Sequence, residues 1–224
     1  MSASQTSKSG GACSGSTRER LLDAGEQLFS ERGFEGTSVR ELGALARCNP
    51  AAVNYYFGGK ENLYVEVWRR HLVDMRQRRV ESIRRVIFES GSQPVLEELL
   101  RAFAQAFVGP LVAEERGQRL VKLMAREMID ARLPPGMFGE NVIKPTLAAM
   151  QEGLEKACPG LPGWRVPLVV FSLVGQLLHT IRIKGILHWI DKEAVAMFEP
   201  AKMIDHIVEF TAAGIRAFAK EKGE

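Results

Sequence analysis

Apolar residues recur along this chain at intervals of three and four, and no stretch alternates apolar and polar residues as a half-buried strand would. The pattern predicts an all-α protein. A first helix lies between Ser16 and Gly33, with Leu21, Leu22, Leu28 and Phe29 on its inner face. Ser16 and Glu19 have capping-box spacing, Gly33 supplies a left-handed C-terminus, and Phe34 folds back onto Phe29. A second helix starts at Thr37-Ser38, where Ser38 and Glu41 repeat the capping-box spacing, and its inner face reads Val39, Leu42, Leu45 and Ala46. After a break at Arg47-Cys48, Asn49 caps a brief third helix, 50–57, with Pro50 at its first position, where a missing N–H costs nothing. Gly58-Gly59 ends it.

The remainder is longer and also helical. A fourth helix is expected over 60–88, a fifth from the Gly91-to-Pro94 turn to about 112, and a sixth over 117–131. A Pro134-Pro135-Gly136 loop leads into a seventh ending near 157, and an eighth (164–189) and ninth (200–220) close the chain. This gives a tail (1–16), a three-helix helix-turn-helix domain (17–62) and a larger helical domain (63–224). The tail is Ser, Gly, Thr, Ala and Lys with no apolar core segment, so it reads as disordered rather than as a secretory leader. The most apolar run, 166–178, is interrupted by Ser172, Gly175 and Gln176 and falls short of the ~20 residues a bilayer requires. It reads as a core or interface helix, and no membrane association is expected.

Two short helices joined by a tight turn form a helix-turn-helix pattern. A second helix enters a major groove about 12 Å wide only if it is small near its start, and Ala51 and Ala52 meet that condition. Tyr55 and Tyr56 are long enough to reach sugar, phosphate or a thymine methyl. Lys60 stands at a helix N-terminus, where its charge opposes the dipole at a cost of a few tenths of a kcal/mol. A phosphate bound there would explain it, because ammonium and free N–H groups would converge on one anion. Thr37 and Ser38 offer a second such clamp, and Arg40 and Arg47 add phosphate contacts. On spacing alone, a plain helical hairpin with inward-packed tyrosines is the alternative.

The run from Thr37-Ser38-Val39-Arg40-Glu41-Leu42 through Asn49-Pro50-Ala51-Ala52-Val53-Asn54-Tyr55-Tyr56-Phe57-Gly58-Gly59-Lys60-Glu61-Asn62-Leu63 resembles the TetR/AcrR family of transcriptional regulators. The resemblance covers about 17–68. It implies a homodimer with two heads on a palindromic double-stranded DNA operator, and a helical domain that binds a small-molecule effector. It maps Thr37, Ser38, Tyr55, Tyr56 and Lys60 onto DNA-contacting positions, Asn49 to Ala52 onto the groove-facing start of the recognition helix, and Phe57 onto a packing position. It also implies a four-helix dimer interface built from helices 8 and 9, the latter with Ile204, Ile207, Val208, Phe210, Thr211, Ile215 and Phe218. Asn54 departs from the family, which more often has an aromatic there, and resembles a CecR-like subgroup. Pairing with adenine, local capping and packing are all open to it.

Charge changes this picture little. The formal net charge of +3 argues nothing by itself, and basic and acidic residues nearly cancel over 17–62. DNA affinity must come from placement, with a moderate salt slope. The fourth helix is basic, with Arg69, Arg70, Arg76, Arg78, Arg79, Arg84 and Arg85 reading mostly as a solvated face. Phe103, Phe107, Met124, Met128, Phe171 and Gln176 are candidates to line an effector pocket, with plain core as the alternative. Arg126, Glu127, His179 and Arg182 are polar on apolar helices, and fix a ligand, pair internally or lie at the surface. Cys13, Cys48 and Cys158 are odd in number and widely spaced, and His71, His188 and His206 lack metal-ligand spacing, so neither disulfide, metal nor cofactor is expected. A reducing cytoplasm fits. The chain reads as a ligand-responsive repressor. An effector-independent activator or architectural protein is one alternative; an enzyme using Glu127 and His179 is another, without any phosphate loop or nucleophile elbow to support it.

Overall fold

The computed structural model describes residues 15–91, 93–113, 115–187 and 199–220. The expected tail up to residue 14, Cys13, His188, the 190–198 loop and the side chain of Arg182 lie outside them. Among the described residues every regular element is helical: α1 (Thr17–Arg32), α2 (Val39–Leu45), α3 (Ala51–Phe57), α4 (Lys60–Glu89), α5 (Leu96–Ala113), α6 (Glu115–Glu127), α7 (Lys144–Ala157), α8 (Val166–Leu187) and α9 (Pro200–Lys220). The chain divides into two compact units, with the boundary between Val67 and Trp68.

In the first unit α1, α2, α3 and the first turns of α4 enclose a small core of Leu21, Phe29, Leu42, Val53 and Leu63, all fully buried. Phe29, Phe34 and Tyr64 form an aromatic cluster, with Tyr64 edge-on to both rings at 5.1 and 5.4 Å. Caps fix the helix ends. The Ser16 hydroxyl accepts the Glu19 N–H at 3.3 Å. Gly33 closes α1 by donating to the Phe29 carbonyl, although its φ of 78° and ψ of 176° lie outside the left-handed helical basin the spacing predicts. The Arg20 guanidinium donates to the Ala46 carbonyl at 3.0 Å, placing a positive group on the C-terminus of α2. One expected core residue is not there: Leu45 is 43% exposed. The inner face of α2 is Leu42, Gly43 and Ala46 instead, because α3 crosses so close that a Cβ on Gly43 would lie 3.0 Å from the Pro50 backbone.

In the second unit α5 is central, packing on α6, α7, α8 and α9. Its Leu99, Leu100, Phe103 and Ala104 are fully buried. Helix α6 stops four residues short of the expected 131. The Glu127 carboxylate accepts the N–H groups of both Arg132 and Leu133 at 2.7 Å, which turns the chain away from the helix axis. The segment before α7 is also irregular: Gly139–Ile143 forms a π-helical turn leading into Pro145 near the start of α7. Such widened turns recur at functional sites. The bidentate Arg216–Glu97 pair (2.5 and 2.9 Å) ties α9 to α5, and these hydrogen bonds hold the Glu97 carboxyl below the usual carboxylate range.

Candidate nucleic-acid interface and interior cavity

Helix α3 is short because its ends are chemically fixed. The Asn49 side-chain oxygen accepts the Ala51 N–H at 2.8 Å, so Asn49 performs the capping chemistry expected of it while Pro50 carries helical angles one residue earlier than Ala51. Gly58, in the left-handed conformation at φ 76°, ends the helix by donating to the Asn54 carbonyl. Val53 and Phe57 point into the core. The outward face therefore consists of Ala51, half-buried Ala52, Asn54, Tyr55 and Tyr56. Asn54 does not pack inward. Tyr55 is 82% exposed, and the two tyrosine rings meet edge to face at 4.9 Å.

Arg40, on α2, and Arg47, in the turn before α3, are also exposed. Among the described residues neither guanidinium has a hydrogen-bond or ion-pair partner. Arg47 occupies a positive φ of 52° in the turn between α2 and α3. That conformation costs an L-residue on the order of 1–2 kcal/mol, and it sets the side chain outside both helices.

The residues expected to clamp phosphate, Thr37, Ser38 and Lys60, all hydrogen-bond within the protein in this structure. Thr37 is buried, and its hydroxyl donates to the Gly33 carbonyl at 2.8 Å. Ser38 is exposed, but its only O–H is donated to the Glu41 carboxylate at 2.7 Å within a complete capping box. Those hydrogen bonds from Ser38, with the nearby Arg32 charge, hold the Glu41 carboxyl below its ordinary range. Lys60 donates to the carbonyls of Phe34 and Thr37, each at 3.0 Å, and its ammonium lies 4.1 Å from the Phe34 ring centre. Backbone carbonyl oxygens thus answer the cation that the α4 dipole disfavours, and Lys60 braces the loop that delivers Ser38 to the start of α2.

The second unit contains a cavity of about 140 Å³. Four predicted pocket residues line it: Phe103, Phe107, Met124 and Phe171. The rest of the expected set is elsewhere. Met128 (78% exposed) and exposed His179 border a separate concavity of about 300 Å³, which Met124 also reaches. Glu127 is committed to the loop after α6, and Gln176 donates to the Ser172 carbonyl at 3.3 Å one turn back. Two polar residues that the sequence reading did not select, Arg79 and Thr146, also line the 140 Å³ cavity. The signal for Arg79 was present. Leu72, Met75, Arg79, Ile83 and Ile87 follow one another at helical intervals and are all buried, which puts the arginine on the apolar stripe of α4 rather than its solvated face. Among the described residues no cluster of His, Cys, Asp and Glu has a metal-binding arrangement.

Comparison with known proteins agrees with this architecture. Residues 21–67 match the model for the N-terminal domain of bacterial regulatory proteins of the tetR family. Residues 96–215, more than half of the chain, match the model for the C-terminal domain of the HTH-type transcriptional dual regulator CecR. The chain is 39% identical over 51 residues to the HTH-type transcriptional repressor NicS of Pseudomonas putida, covering 23% of this chain and 24% of that protein. It thus spans about a quarter of the length of such relatives, in the head alone. It is 27% identical over 167 residues to the HTH-type transcriptional dual regulator CecR of Shigella flexneri, covering 72% of this chain and 74% of that protein. In fold it is similar to a crystal structure of a TetR-family transcription regulator from Shewanella sp. PV-4, with a TM-score of 0.64 at 15% identity over 90% of this chain and 98% of that one. The chain belongs to the TetR family of bacterial regulatory proteins and carries a CecR-type C-terminal domain.

Proposed function

We propose that this protein is a homodimeric, ligand-responsive transcriptional repressor that holds a palindromic double-stranded DNA operator and releases it when a small-molecule effector enters the cavity of the second unit. The observation that carries the reading is the surface of α3. Tyr55 is 82% exposed beside exposed Asn54, and the exposed Arg40 of α2 and Arg47 of the following turn have no partner among the described residues. An exposed aromatic pair in a head that also carries two uncommitted guanidinium groups suits a phosphate-lined groove. Arg40, Arg47, Asn49, Ala51, Ala52, Asn54, Tyr55 and Tyr56 make the DNA face, while Thr37, Ser38 and Lys60 hold the two helices in the geometry that presents it.

The dimer rests on helices α8 and α9. Trp164, Leu168, Phe171 and Leu178 are exposed along one stripe of the 163–187 segment, at 65%, 57%, 55% and 37%. A Cβ on Gly175 within that stripe would meet nothing within 4 Å, so a partner helix has room to approach. On α9, among the described residues, Phe210 is the large apolar side chain left mostly exposed, at 65%, while Phe218 is half-buried with the Arg165 guanidinium over its ring. Ile204, Ile207, Val208, Thr211 and Ile215 are buried within the protomer. The 163–181 stretch is also apolar enough to cross a bilayer by length and composition, but a cytoplasmic DNA-binding dimer covers it with a second copy. A stable dimer also sets two heads at half-sites about one helical turn apart. If the effector weakens operator affinity ~100-fold, the coupling between the sites is about 2.7 kcal/mol.

Footprinting on the DNA upstream of its own gene, combined with sedimentation of the free protein, tests the reading. A dimer protecting two symmetric half-sites is expected. A monomer, or protection without a dyad, overturns it.

A further inference from the structure

Arg79 is more than nine-tenths buried, at 7% exposure, and lines the 140 Å³ cavity. Among the described residues it has no carboxylate or carbonyl partner; its guanidinium carbon lies 4.2 Å from the centre of the Phe107 ring. The aromatic face satisfies the cation's charge in part but accepts none of its five N–H donors. Burial lowers its pKa only to about 10, so the group stays protonated at neutral pH. Thr146, 5% exposed, lines the same cavity, and its hydroxyl also has no hydrogen-bond partner among the described residues. Buried polar groups in native proteins are normally paired. Here two unpaired donors of different helices line one apolar space that contains no acid in its lining; Arg79 also borders a second cavity, of about 50 Å³, whose lining includes Asp74.

We infer that the cavity binds a small organic anion, an aromatic or compact aliphatic carboxylate, with its carboxylate on Arg79 and Thr146 and its apolar body among Phe103, Phe107, Met124 and Val170. The assignment deepens the proposed function, since it rests on that cavity being the effector site. Three observations select this class. The guanidinium fork fits a carboxylate bidentately. The remaining lining is almost wholly apolar, which disfavours an inorganic anion with its hydration shell. The volume is close to that of the roughly 150 Å³ apolar cavity that holds one benzene molecule, so the body is about one ring in size. The π-helical turn contributes Ile143 to the wall, and Phe138, the residue before it, also lines the cavity.

Calorimetric titration of the full chain with benzoate, phenylacetate and hexanoate, against benzamide, benzyl alcohol and hexanol, tests this. At least one carboxylate is expected to bind, and to bind about thirtyfold or more tightly than its neutral counterpart. Arg79→Met should abolish that preference while melting at or above the wild-type temperature without ligand, because a buried unpaired charge is replaced by a hydrophobe of similar size. Thr146→Val should weaken the carboxylate severalfold. The inference is overturned if no carboxylate of the panel binds, if neutral counterparts bind equally well, or if Arg79→Met keeps the carboxylate affinity. Mobility shift in the presence of each compound separates this inference from the reading it rests on. A carboxylate that binds through Arg79 yet leaves DNA affinity unchanged supports the anion site and overturns effector release. Release by a neutral compound alone supports effector control and overturns the anion assignment.

Discussion

Replacing Lys60 with alanine removes two hydrogen bonds from an ammonium to carbonyl oxygens, both at 3.0 Å, and a cation–π contact at 4.1 Å. Hydrogen bonds to a charged group are worth about 1.5–3 kcal/mol each, and the lower end applies because Lys60 is half-buried. The aromatic contact adds about 0.5 kcal/mol, and relief from the unfavourable helix dipole returns a similar amount. The expected net loss is about 3 kcal/mol, or roughly 6–12 °C in melting temperature for a chain of this size unfolding as one unit. DNA affinity should fall as well, because the loop from Phe34 to Thr37 loses its anchor and α2 is no longer held in place. A brace and a phosphate contact differ in salt dependence, since each lost phosphate contact lowers the slope of log K against log salt by about 0.9. Circular-dichroism melting and salt-titrated fluorescence anisotropy on one operator fragment therefore decide the role. The expected result is a lower melting temperature with an unchanged salt slope. A wild-type melting temperature with a slope reduced by about one unit would refute the brace and restore Lys60 to the phosphate.

Other perturbations separate contact from support. Arg40→Ala and Arg47→Ala should each lower the salt slope by about 0.9 while leaving the melting temperature within about 1 °C, because neither side chain has a partner to lose; an unchanged slope places that arginine off the DNA. Gly43→Ala pushes a methyl to 3.0 Å from the Pro50 backbone, and overpacking of this kind costs about 1–3 kcal/mol, seen as an earlier urea midpoint together with weaker DNA binding. For Glu97, the hydrogen bonds from Arg216 depress the folded pKa, so the stability it adds is present above the unfolded value of about 4.3 and is lost as pH falls through the lower folded value. The difference in urea midpoint between wild type and Glu97→Gln should shrink between pH 5 and pH 3, and a constant or growing difference contradicts the pairing.

The reading head was largely legible in the sequence because its determinants are local. Ser38–Glu41 and Asn49–Ala51 are capping interactions spanning three residues or fewer, and the apolar spacing of α1 and α3 points the right side chains inward. What failed there is tertiary. Leu45 lies on the periodic face, yet it is displaced outward by the close crossing of α2 and α3 at Gly43. Lys60 was recognised as anomalous from its place at a helix start, but the carbonyls that answer it belong to residues 23 and 26 positions earlier. The cavity was only half legible. Phe103, Phe107, Met124 and Phe171 are legible by their apolar size, whereas Glu127 hydrogen-bonds to the loop after α6 and Gln176 to the preceding turn of α8. Arg79 was hidden in a run of arginines, and only its register with Leu72, Met75 and Ile83 distinguishes it.

The proposed regulator depends on the exposed face around α3 to grip DNA. The decisive measurement compares wild type with the Arg40→Ala/Tyr55→Ala double variant by mobility shift on the DNA upstream of the gene. Both positions are exposed and outside the core, so the variant should melt like the wild type. The account predicts that it binds about a hundredfold more weakly, the combined effect of one phosphate contact and one aromatic contact of about 1.4 kcal/mol each. Undiminished binding by a variant with unaltered melting would contradict it.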